Sequence, residues 1–409
     1  MRPAEREVVG AGISGIFIRM YTLKRGKLRR TDRGGGRKAS AIAVAMLLLL
    51  CSNLLASCGK QYFTQAQVRA LEREVNTVIG QAGSPGAVIG LWTPQGDWVW
   101  ATGKSDLATQ SLISAPDRYR IGSMTMMFTG TVVLQLAEEK KLSLGDALDK
   151  YQAGVPGASR ITLKMLLNHT SGIFDYTATP KFVKAFRANP LRTWTPKELV
   201  RLAAASPPYF APGKGWQFSN TNYVLLGMIV EQVTGHSLAA EMNSRVLRKL
   251  RLKSSYLAAG PDIAPPFFNG YWDPQGDGHL QSITRQDMSW AWAAGAVVSN
   301  LYDMKPAVEA LAKGTLLDDS MQEQRLTVVR TPQKQYRLPL QYGLGISKVG
   351  KLVGLYGSVP GYGSAAYYLP EKNVTVVVCM NIDAGIGNGS ADEMVQRVLH
   401  VLYPKDFRK

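Results

Sequence analysis

The pattern of apolar residues changes from strand-like to helix-like at Arg120-Ile-Gly-Ser-Met-Thr-Met126. Before this segment, residues 87–93 and 98–102 have the composition of strands, and the turn residues Pro-Gln-Gly-Asp at 94–97 join them. After it, residues 124–136 are apolar on nearly all sides, which is typical of a buried helix. The sequence therefore predicts a hairpin, followed by a buried helix that starts at Ser123.

Strand-like segments return near the end of the chain, at 342–349, 364–369 and 374–380. The part between, from about 140 to 320, has helix and loop patterns interrupted by proline and glycine. Amphipathic helix patterns open and close the folded part, at about 64–79 and 391–402.

Strands at both ends with helices between them predict an α/β (α+β) fold. Both termini would then build one sheet, flanked by helices, and a helical lobe would be inserted in the middle. The predicted sheet lobe covers about 64–122 and 325–405, and the predicted helical lobe covers about 123–324.

The first 57 residues predict an export signal. Residues 24–38 are rich in Lys, Arg and Gly, and an apolar run at 39–50 follows. This run is too short to span a bilayer and is typical of the hydrophobic region of a signal peptide. Residues 1–57 are therefore predicted to be a signal peptide, with Met20 as an alternative start.

The end of this signal, Leu55-Ala-Ser-Cys58, resembles the bacterial lipobox. The resemblance implies cleavage before Cys58 and lipidation of its thiol, with residues 58–63 as a tether; the alternative is a plain signal peptide that contains a cysteine. We therefore expect an exported protein, anchored in a membrane through Cys58 and facing the periplasm or cell surface. Cys379, in an apolar run, is predicted to be buried, and no disulfide framework exists.

The composition narrows the classes of partner. The hydrophobic content of 45% and the charged content of 19% are typical of a globular protein. The formal charge is +18, of which residues 1–57 carry +8 (eleven Lys/Arg minus three Asp/Glu), so the remainder carries about +10 (18 − 8). The one dense basic run, Arg245 to Lys253, alternates with apolar residues and predicts a helix end or a surface face. It favours attraction to an anionic membrane or cell-wall polymer over nucleic-acid binding.

The four histidines are scattered and form no metal-ligand spacing, so no metal or other cofactor is predicted.

Six segments occur in an order that resembles the serine β-lactamase/DD-peptidase superfamily, closest to class C β-lactamases, D-alanyl-D-alanine carboxypeptidases and related esterases. They are Arg120-Ile-Gly-Ser123, Leu166-Leu-Asn-His-Thr-Ser-Gly172, Phe218-Ser-Asn-Thr-Asn-Tyr-Val-Leu-Leu-Gly227, Ala293-Ala-Gly-Ala-Val-Val-Ser299, Tyr342-Gly-Leu-Gly345 and Pro360-Gly-Tyr362. The resemblance covers about residues 62–400. It implies a β-lactamase/transpeptidase-like fold with an antiparallel sheet, and catalysis through an acylated serine.

Three motif positions depart from that family. By the resemblance, Ser123 occupies the nucleophile position, but Met126 stands where the family has lysine, Phe218 where it has tyrosine, and Leu355 where it has histidine or lysine. A serine hydroxyl needs an adjacent group to remove its proton. The resemblance therefore implies a site that lacks the groups that would remove and transfer the proton of the Ser123 hydroxyl.

Other parts of the site are retained by the resemblance. Asn220, Gly357, Ser358 and Tyr362 occupy substrate-binding positions, and the backbone amides of Ser123 and Ser358 would hold the oxyanion. Three alternatives remain open at this point. Ser219 and Asn220 would also suit the start of a helix as capping residues, Tyr362 would also suit packing, and His169 is either a structural residue or a substitute base.

The sequence supports three hypotheses about function. The first is a catalytically impaired relative that binds a peptidoglycan fragment, a β-lactam-like or acyl small molecule, or a protein of the cell envelope. The second is an active serine hydrolase of the DD-carboxypeptidase, β-lactamase or esterase type, which acylates Ser123 with an unusual base. The third is a structural envelope protein, whose pocket would be filled by its own side chains.

Overall fold

We analysed a computed structural model, which describes residues 63–332, 338–383 and 390–407. The predicted signal peptide and Cys58 lie outside the described residues. The described strands are β1 Gly86–Thr93, β2 Gly96–Gly103, β3 Tyr119–Arg120, β4 Tyr256–Leu257, β5 Tyr271–Trp272, β6 Gln281–Ser282, β7 Val297–Ser299, β8 Val329–Arg330, β9 Leu340–Tyr342, β10 Ser347–Val349, β11 Leu352–Val359, β12 Tyr362–Leu369 and β13 Val374–Met380. The described helices are α1 Gln65–Ala82, α2 Thr125–Glu138, α3 Leu163–Leu167, α4 Pro180–Ala188, α5 Pro196–Ala204, α6 Asn220–Thr234, α7 Leu238–Met242, α8 Trp292–Gly295, α9 Leu301–Lys313, α10 Asp319–Leu326 and α11 Ser390–Leu402.

One antiparallel sheet of eight strands joins the two ends of the described chain, in the order β2-β1-β13-β12-β11-β10-β9-β8. Strand β1 pairs with β13, and Val88 lies opposite Cys379 in that ladder. The fold class expected from the sequence is confirmed: both ends build the sheet, and the segment between β3 and β8 is mainly helical.

The sheet separates two layers of helices because successive side chains of a strand point to opposite faces. On one face, Ile89 and Val378 pack with buried residues of α1 and α11. On the other face, Val88 and Cys379 belong to the larger core of the helical lobe. Strands β1, β12 and β13 are buried on both faces, which explains their nearly continuous apolar sequences.

Helix α1 shows how local sequence sets the ends of an element. The Thr64 hydroxyl accepts a hydrogen bond from the Gln67 amide at 3.2 Å, and the Gln67 side chain accepts from the Thr64 amide at 2.9 Å. This reciprocal pair satisfies two amides that the first turn leaves without partners. The helix ends at Gly83, whose φ of +63° suits a residue without a Cβ.

Two further sequence expectations can be compared with the structure. Cys379 is buried and unpaired, as expected. The single strand expected at 342–349 is wrong, because two strands, β9 and β10, occupy that stretch. Between them the Gly343 amide donates to the Ile346 carbonyl at 2.7 Å, and Gly345 has a φ of +71°, so the chain reverses there.

None of the described helices is long and apolar enough to cross a bilayer.

Candidate active site

Ser123 lies in a single 3-10 turn, Gly122–Met124, that leads directly into α2. Two glycines bring strand β11 against this turn. A Cβ on Gly122 would lie 2.6 Å from the Ser358 nitrogen, and a Cβ on Gly357 would lie 2.0 Å from the Ile121 carbonyl oxygen. Any side chain at either position would therefore separate the strand from the turn that presents the serine.

This contact corrects the expectation for Gly357, which was placed among the substrate-binding residues. Gly357 is buried and does not line the cavity described below; its missing side chain admits the backbone of the Ser123 turn. The adjacent residue, Ser358, does line that cavity together with Ser123.

A cavity of about 550 Å³ opens beside Ser123. It brings together four residues that the sequence assigned to one site although they are far apart in the chain: Ser123, Phe218, Leu355 and Asn220. The third hypothesis expected a pocket filled by the protein's own side chains, whereas this pocket is open. Much of its wall is aromatic, contributed by Phe182, Phe186, Tyr209, Trp216, Trp272 and Trp290.

Met126 lies behind the wall of this cavity, so the expectation that it faces the cavity is wrong. Its side chain is fully buried in the core, and its Sδ lies 3.8 Å from the Tyr342 hydroxyl. Tyr342 is the residue that lines the cavity at this point. An uncharged thioether can be covered in this way because it needs no polar partner.

Arg325 was not identified from the sequence, and Tyr342 was identified only as the first residue of the segment 342–345, because nothing local to either residue indicates that both are buried beside Met126 and Met127. Both are buried, and an Arg325 Nη2 donates to the Met127 carbonyl at 3.2 Å. Burial lowers the pKa of Arg325 to about 10, which leaves it charged at neutral pH. Burial also raises the pKa of Tyr342, so its phenol keeps its proton and can donate but cannot act as a base.

His169 is held as a neutral hydrogen-bond acceptor. Its Nδ1 lies 3.3 Å from the Ser219 amide nitrogen and 3.1 Å from the Asn222 Nδ2. The orientation of the Asn222 amide is fixed, because its Oδ1 accepts from the Ser171 hydroxyl at 2.7 Å. Since Nδ1 accepts, the proton of the neutral ring is on Nε2.

Burial lowers the pKa of His169 to about 3, so the ring stays uncharged near neutral pH. Aromatic rings surround it, with the Phe218 and Tyr342 ring centroids each 4.7 Å from its own. A histidine whose free nitrogen is already an acceptor for two donors is a poor base for Ser123. The geometry of His169 therefore fits the structural alternative.

Asn220 reaches the cavity but uses its amide group within the protein. Its Nδ2 donates to the Asp175 Oδ2 at 3.0 Å, and the other Asp175 oxygen accepts from the amide and hydroxyl of Thr177 at 3.0 and 2.9 Å. Burial raises the pKa of Asp175, although these hydrogen bonds oppose the rise. Ser219 occupies the N-cap position of α6 and Asn220 is its first residue, as the capping alternative expected, but Ser219 makes no side-chain capping hydrogen bond.

Tyr362 packs in the core, which supports the packing alternative for this residue. Its side chain is fully buried, and its hydroxyl donates to the Phe268 carbonyl at 2.8 Å. It is absent from the wall of the cavity.

Ser123 is therefore partly exposed at the cavity and has no hydrogen-bonded base among the described residues. Among the described residues, no hydrogen bond joins it to a Lys, His, Tyr, Asp or Glu side chain. The apolar residues Phe218 and Leu355 line the cavity near it, and the described residues contain no cluster that could hold a metal ion.

This fold, with a serine at the start of a buried helix beside the strand β11, defines a class of serine hydrolases, and the chain belongs to the Beta-lactamase family, whose model matches residues 68–400. A D-aminopeptidase of Brucella canis is 27% identical over 316 residues, which cover 75% of this chain and 58% of that relative. The chain thus spans less than two thirds of that relative's length.

Solved structures give the same fold. A D-stereospecific amidohydrolase from Streptomyces sp. matches with a TM-score of 0.72 at 30% identity, covering 81% of this chain and 97% of its own. A penicillin-binding protein from Bacillus halodurans matches with a TM-score of 0.68 at 22% identity, covering 80% of this chain and 98% of its own.

Proposed function

We propose that this protein is a catalytically impaired member of the family, which binds a cell-wall-derived or acyl ligand in the cavity beside Ser123. One observation carries the proposal: the Ser123 hydroxyl has no base among the described residues, and positions 126, 218 and 355 are apolar. Loss of one general base typically lowers a rate about 10²–10⁴-fold. Loss of a whole catalytic unit costs on the order of 10⁶-fold.

The cavity supports the binding part of the proposal. Its volume of about 550 Å³ is within the range of small-molecule sites, roughly 300–1,000 Å³. Its aromatic side chains favour a ligand with an apolar body, and the Asn220 amide supplies a polar edge. The names of the relatives, a D-aminopeptidase and a D-stereospecific amidohydrolase, favour a ligand that contains an amide bond.

The test is covalent labelling of Ser123. The protein and its Ser123→Ala variant would be incubated with a fluorescent penicillin and with a fluorophosphonate, and labelled protein would be measured over time. We expect the two proteins to label equally weakly. Rapid labelling that disappears in Ser123→Ala would contradict the proposal.

One observation favours the second candidate, an active hydrolase with an unusual base. The packing of Gly122 and Gly357 keeps β11 against the Ser123 turn, and Ser123 remains partly exposed beside Ser358. Backbone donors at these two positions would need no particular side chain. The same labelling experiment separates the two candidates, because only an active enzyme acylates Ser123.

We also propose that the protein is exported and anchored in a membrane through a lipid on Cys58. The proposal is supported by the sequence Leu55-Ala-Ser-Cys58 after a basic segment and an apolar run.

A further inference from the structure

Asn220 is a polar side chain of the cavity wall whose orientation is fixed by its neighbours. Its Nδ2 donates to the Asp175 Oδ2 at 3.0 Å and lies 3.5 Å from the Thr177 Oγ1. No hydrogen bond to its Oδ1 occurs among the described residues. Since Asn220 is half-buried and lines the cavity, this oxygen is the part of its amide group that a ligand can still use.

Asp175 determines this orientation because an ionised carboxylate accepts hydrogen bonds and donates none. Its other oxygen, Oδ1, already accepts from the Thr177 amide and hydroxyl at 3.0 and 2.9 Å. A rotation that exchanged the oxygen and nitrogen of the Asn220 amide would place two acceptors, the Asn220 Oδ1 and the Asp175 Oδ2, against each other. Asp175 is buried, and such a repulsion is strong where water is excluded. The cavity wall therefore presents an acceptor at Asn220, and not a donor.

The burial of the Asp175 charge adds a second reason for this orientation. Asp175 forms no ion pair within the described part of the chain, and the donors that reach its carboxylate are neutral groups of Asn220 and Thr177. Burial raises the pKa of Asp175, whereas these hydrogen bonds lower it. If the Asn220 Nδ2 turned away, a buried carboxylate oxygen would lose a donor, which is costly.

We propose that the Asn220 Oδ1 accepts a hydrogen bond from an N–H group of the ligand, so that the cavity binds secondary amides in preference to the corresponding esters. Asn220 then determines this preference, and Asp175 is a positioning residue that acts through it. An ester of the same shape carries an oxygen in place of the N–H, and this oxygen would face the Asn220 Oδ1 as a second acceptor. The inference rests on the proposed binding of a ligand in this cavity; it does not depend on whether Ser123 is active.

An aromatic cavity without this acceptor would have the opposite preference. An amide makes stronger hydrogen bonds to water than an ester does, so its transfer from water to an apolar wall costs more. Much of the wall is aromatic, with Phe182, Phe186, Trp272 and Trp290 among its residues. A preference for the amide therefore reports on a polar group that accepts from its N–H, and not on the apolar wall.

The experiment compares two probes of the same shape, N-benzylacetamide and benzyl acetate. Their dissociation constants would be measured by NMR titration of the Ser123→Ala protein, in which turnover of the ester at Ser123 cannot interfere. Two variants alter the acceptor: Asn220→Ala removes it, and Asp175→Asn allows the Asn220 amide to take either orientation. The matched control is Asp273→Asn, which makes the same change at another carboxylate of the wall, whose oxygens accept from backbone amides of its own loop.

We expect the Ser123→Ala protein to bind N-benzylacetamide about tenfold more tightly than benzyl acetate, the effect of about one hydrogen bond. Adding Asn220→Ala should abolish this preference by weakening only the amide. Asp175→Asn should reduce the preference, and Asp273→Asn should keep it. The ratio of the two dissociation constants is the readout, because a purely structural effect of Asp175→Asn would weaken both probes together. Asn220→Ala keeps the test decisive if Asp175→Asn does not fold.

Two results would overturn this inference alone. Equal or tighter binding of benzyl acetate to the Ser123→Ala protein would mean that the wall presents no acceptor to the ligand. An amide preference that persists in Asn220→Ala would place the acceptor at another residue. Neither result bears on the proposed impairment, which the labelling of Ser123 tests. Absence of binding by both probes would count against the proposed binding function, and the inference would fall with it.

Discussion

Three side chains at the site replace groups that move protons with groups that fill space. Phe218 and Leu355 line the cavity, whereas Met126 is covered by Tyr342. Charged side chains also line the cavity, among them Asp175, Arg187 and Asp273, but none of the described ones is hydrogen-bonded to the Ser123 hydroxyl. Arg325, a buried cation that donates to the Met127 carbonyl, cannot accept a proton and so does not replace the missing base.

Restoring the three family residues should restore acylation. The variant Met126→Lys, Phe218→Tyr and Leu355→His returns a phenol and an imidazole to the cavity wall at 218 and 355, and a lysine to the buried position one turn after Ser123. We expect turnover of nitrocefin or a p-nitrophenyl ester to rise at least about 100-fold above the parent, the lower end of the contribution of one general base. The contrary result would be a parent that already turns over rapidly and loses that activity with Ser123→Ala.

Met126→Lys alone should destabilise the protein. The new ammonium would be fully buried behind Tyr342, without a carboxylate partner and near the like charge of Arg325. We expect the free energy of unfolding to fall by about 3 kcal/mol or more, as for an uncompensated buried charge. Chemical denaturation of the parent, Met126→Lys and the volume-conserving Met126→Leu measures this. A loss as large in Met126→Leu would show that packing, and not charge, is responsible.

His169 should make the protein less stable in acid. Its pKa is about 3 in the folded protein and about 6.5 in an unfolded chain, so the unfolded state binds the proton more tightly between these values. Stability is therefore unaffected above about pH 6.5 and falls as the pH decreases below it, by about 2 kcal/mol at pH 5. The slope of unfolding free energy against pH should become shallower in His169→Gln, while His279→Gln, at an exposed histidine, should keep the slope of the parent.

At the scale of elements, the contact between β11 and the Ser123 turn has no tolerance for a side chain. In Gly357→Ala the new Cβ would meet the Ile121 carbonyl oxygen at 2.0 Å, and backbone cannot move aside as a flexible side chain can. We expect a loss of about 3 kcal/mol or more in unfolding free energy, at the upper end of the effect of overpacking. Gly260→Ala, where a Cβ would meet nothing within 4 Å, is the control and should change stability by less than about 0.5 kcal/mol. Unchanged stability in Gly357→Ala would mean that the strand does not pack on the turn in this way.

Elements with a local signal could be predicted from the sequence. The hairpin of β1 and β2 follows from its turn, and the start of α1 follows from the Thr64 and Gln67 pattern. The stretch from 342 to 349 was misjudged because its apolar pattern continues through a reversal that depends on Gly345.

Less of the candidate site than of the fold could be predicted from the sequence. The order of motifs placed Ser123, Phe218 and Leu355 at one cavity, but it could not show the Asp175 partner of Asn220 or the contacts of Arg325 and Tyr342 with Met127 and Met126. These depend on contacts between residues that are distant in sequence, for which the chain carries no local pattern.

For the whole of the described domain, the sheet that joins both of its ends separates α1 and α11 from the helical lobe. Helix α1, which follows the predicted tether, packs on one face of the sheet with α11. The helical lobe, whose buried helix α2 follows the Ser123 turn, packs on the other.

The anchor itself can be tested by replacing one atom. Cys58→Ser should abolish incorporation of radiolabelled palmitate and release the protein from the membrane fraction, because the thiol of Cys58 is the proposed attachment point of the lipid. Cys51→Ser is the matched control: it changes a cysteine within the predicted signal peptide and should leave labelling and fractionation as in the parent. Palmitate that persists in the Cys58→Ser protein would rule out the lipobox interpretation. Loss of label with unchanged membrane association would instead mean that another part of the protein holds it at the membrane.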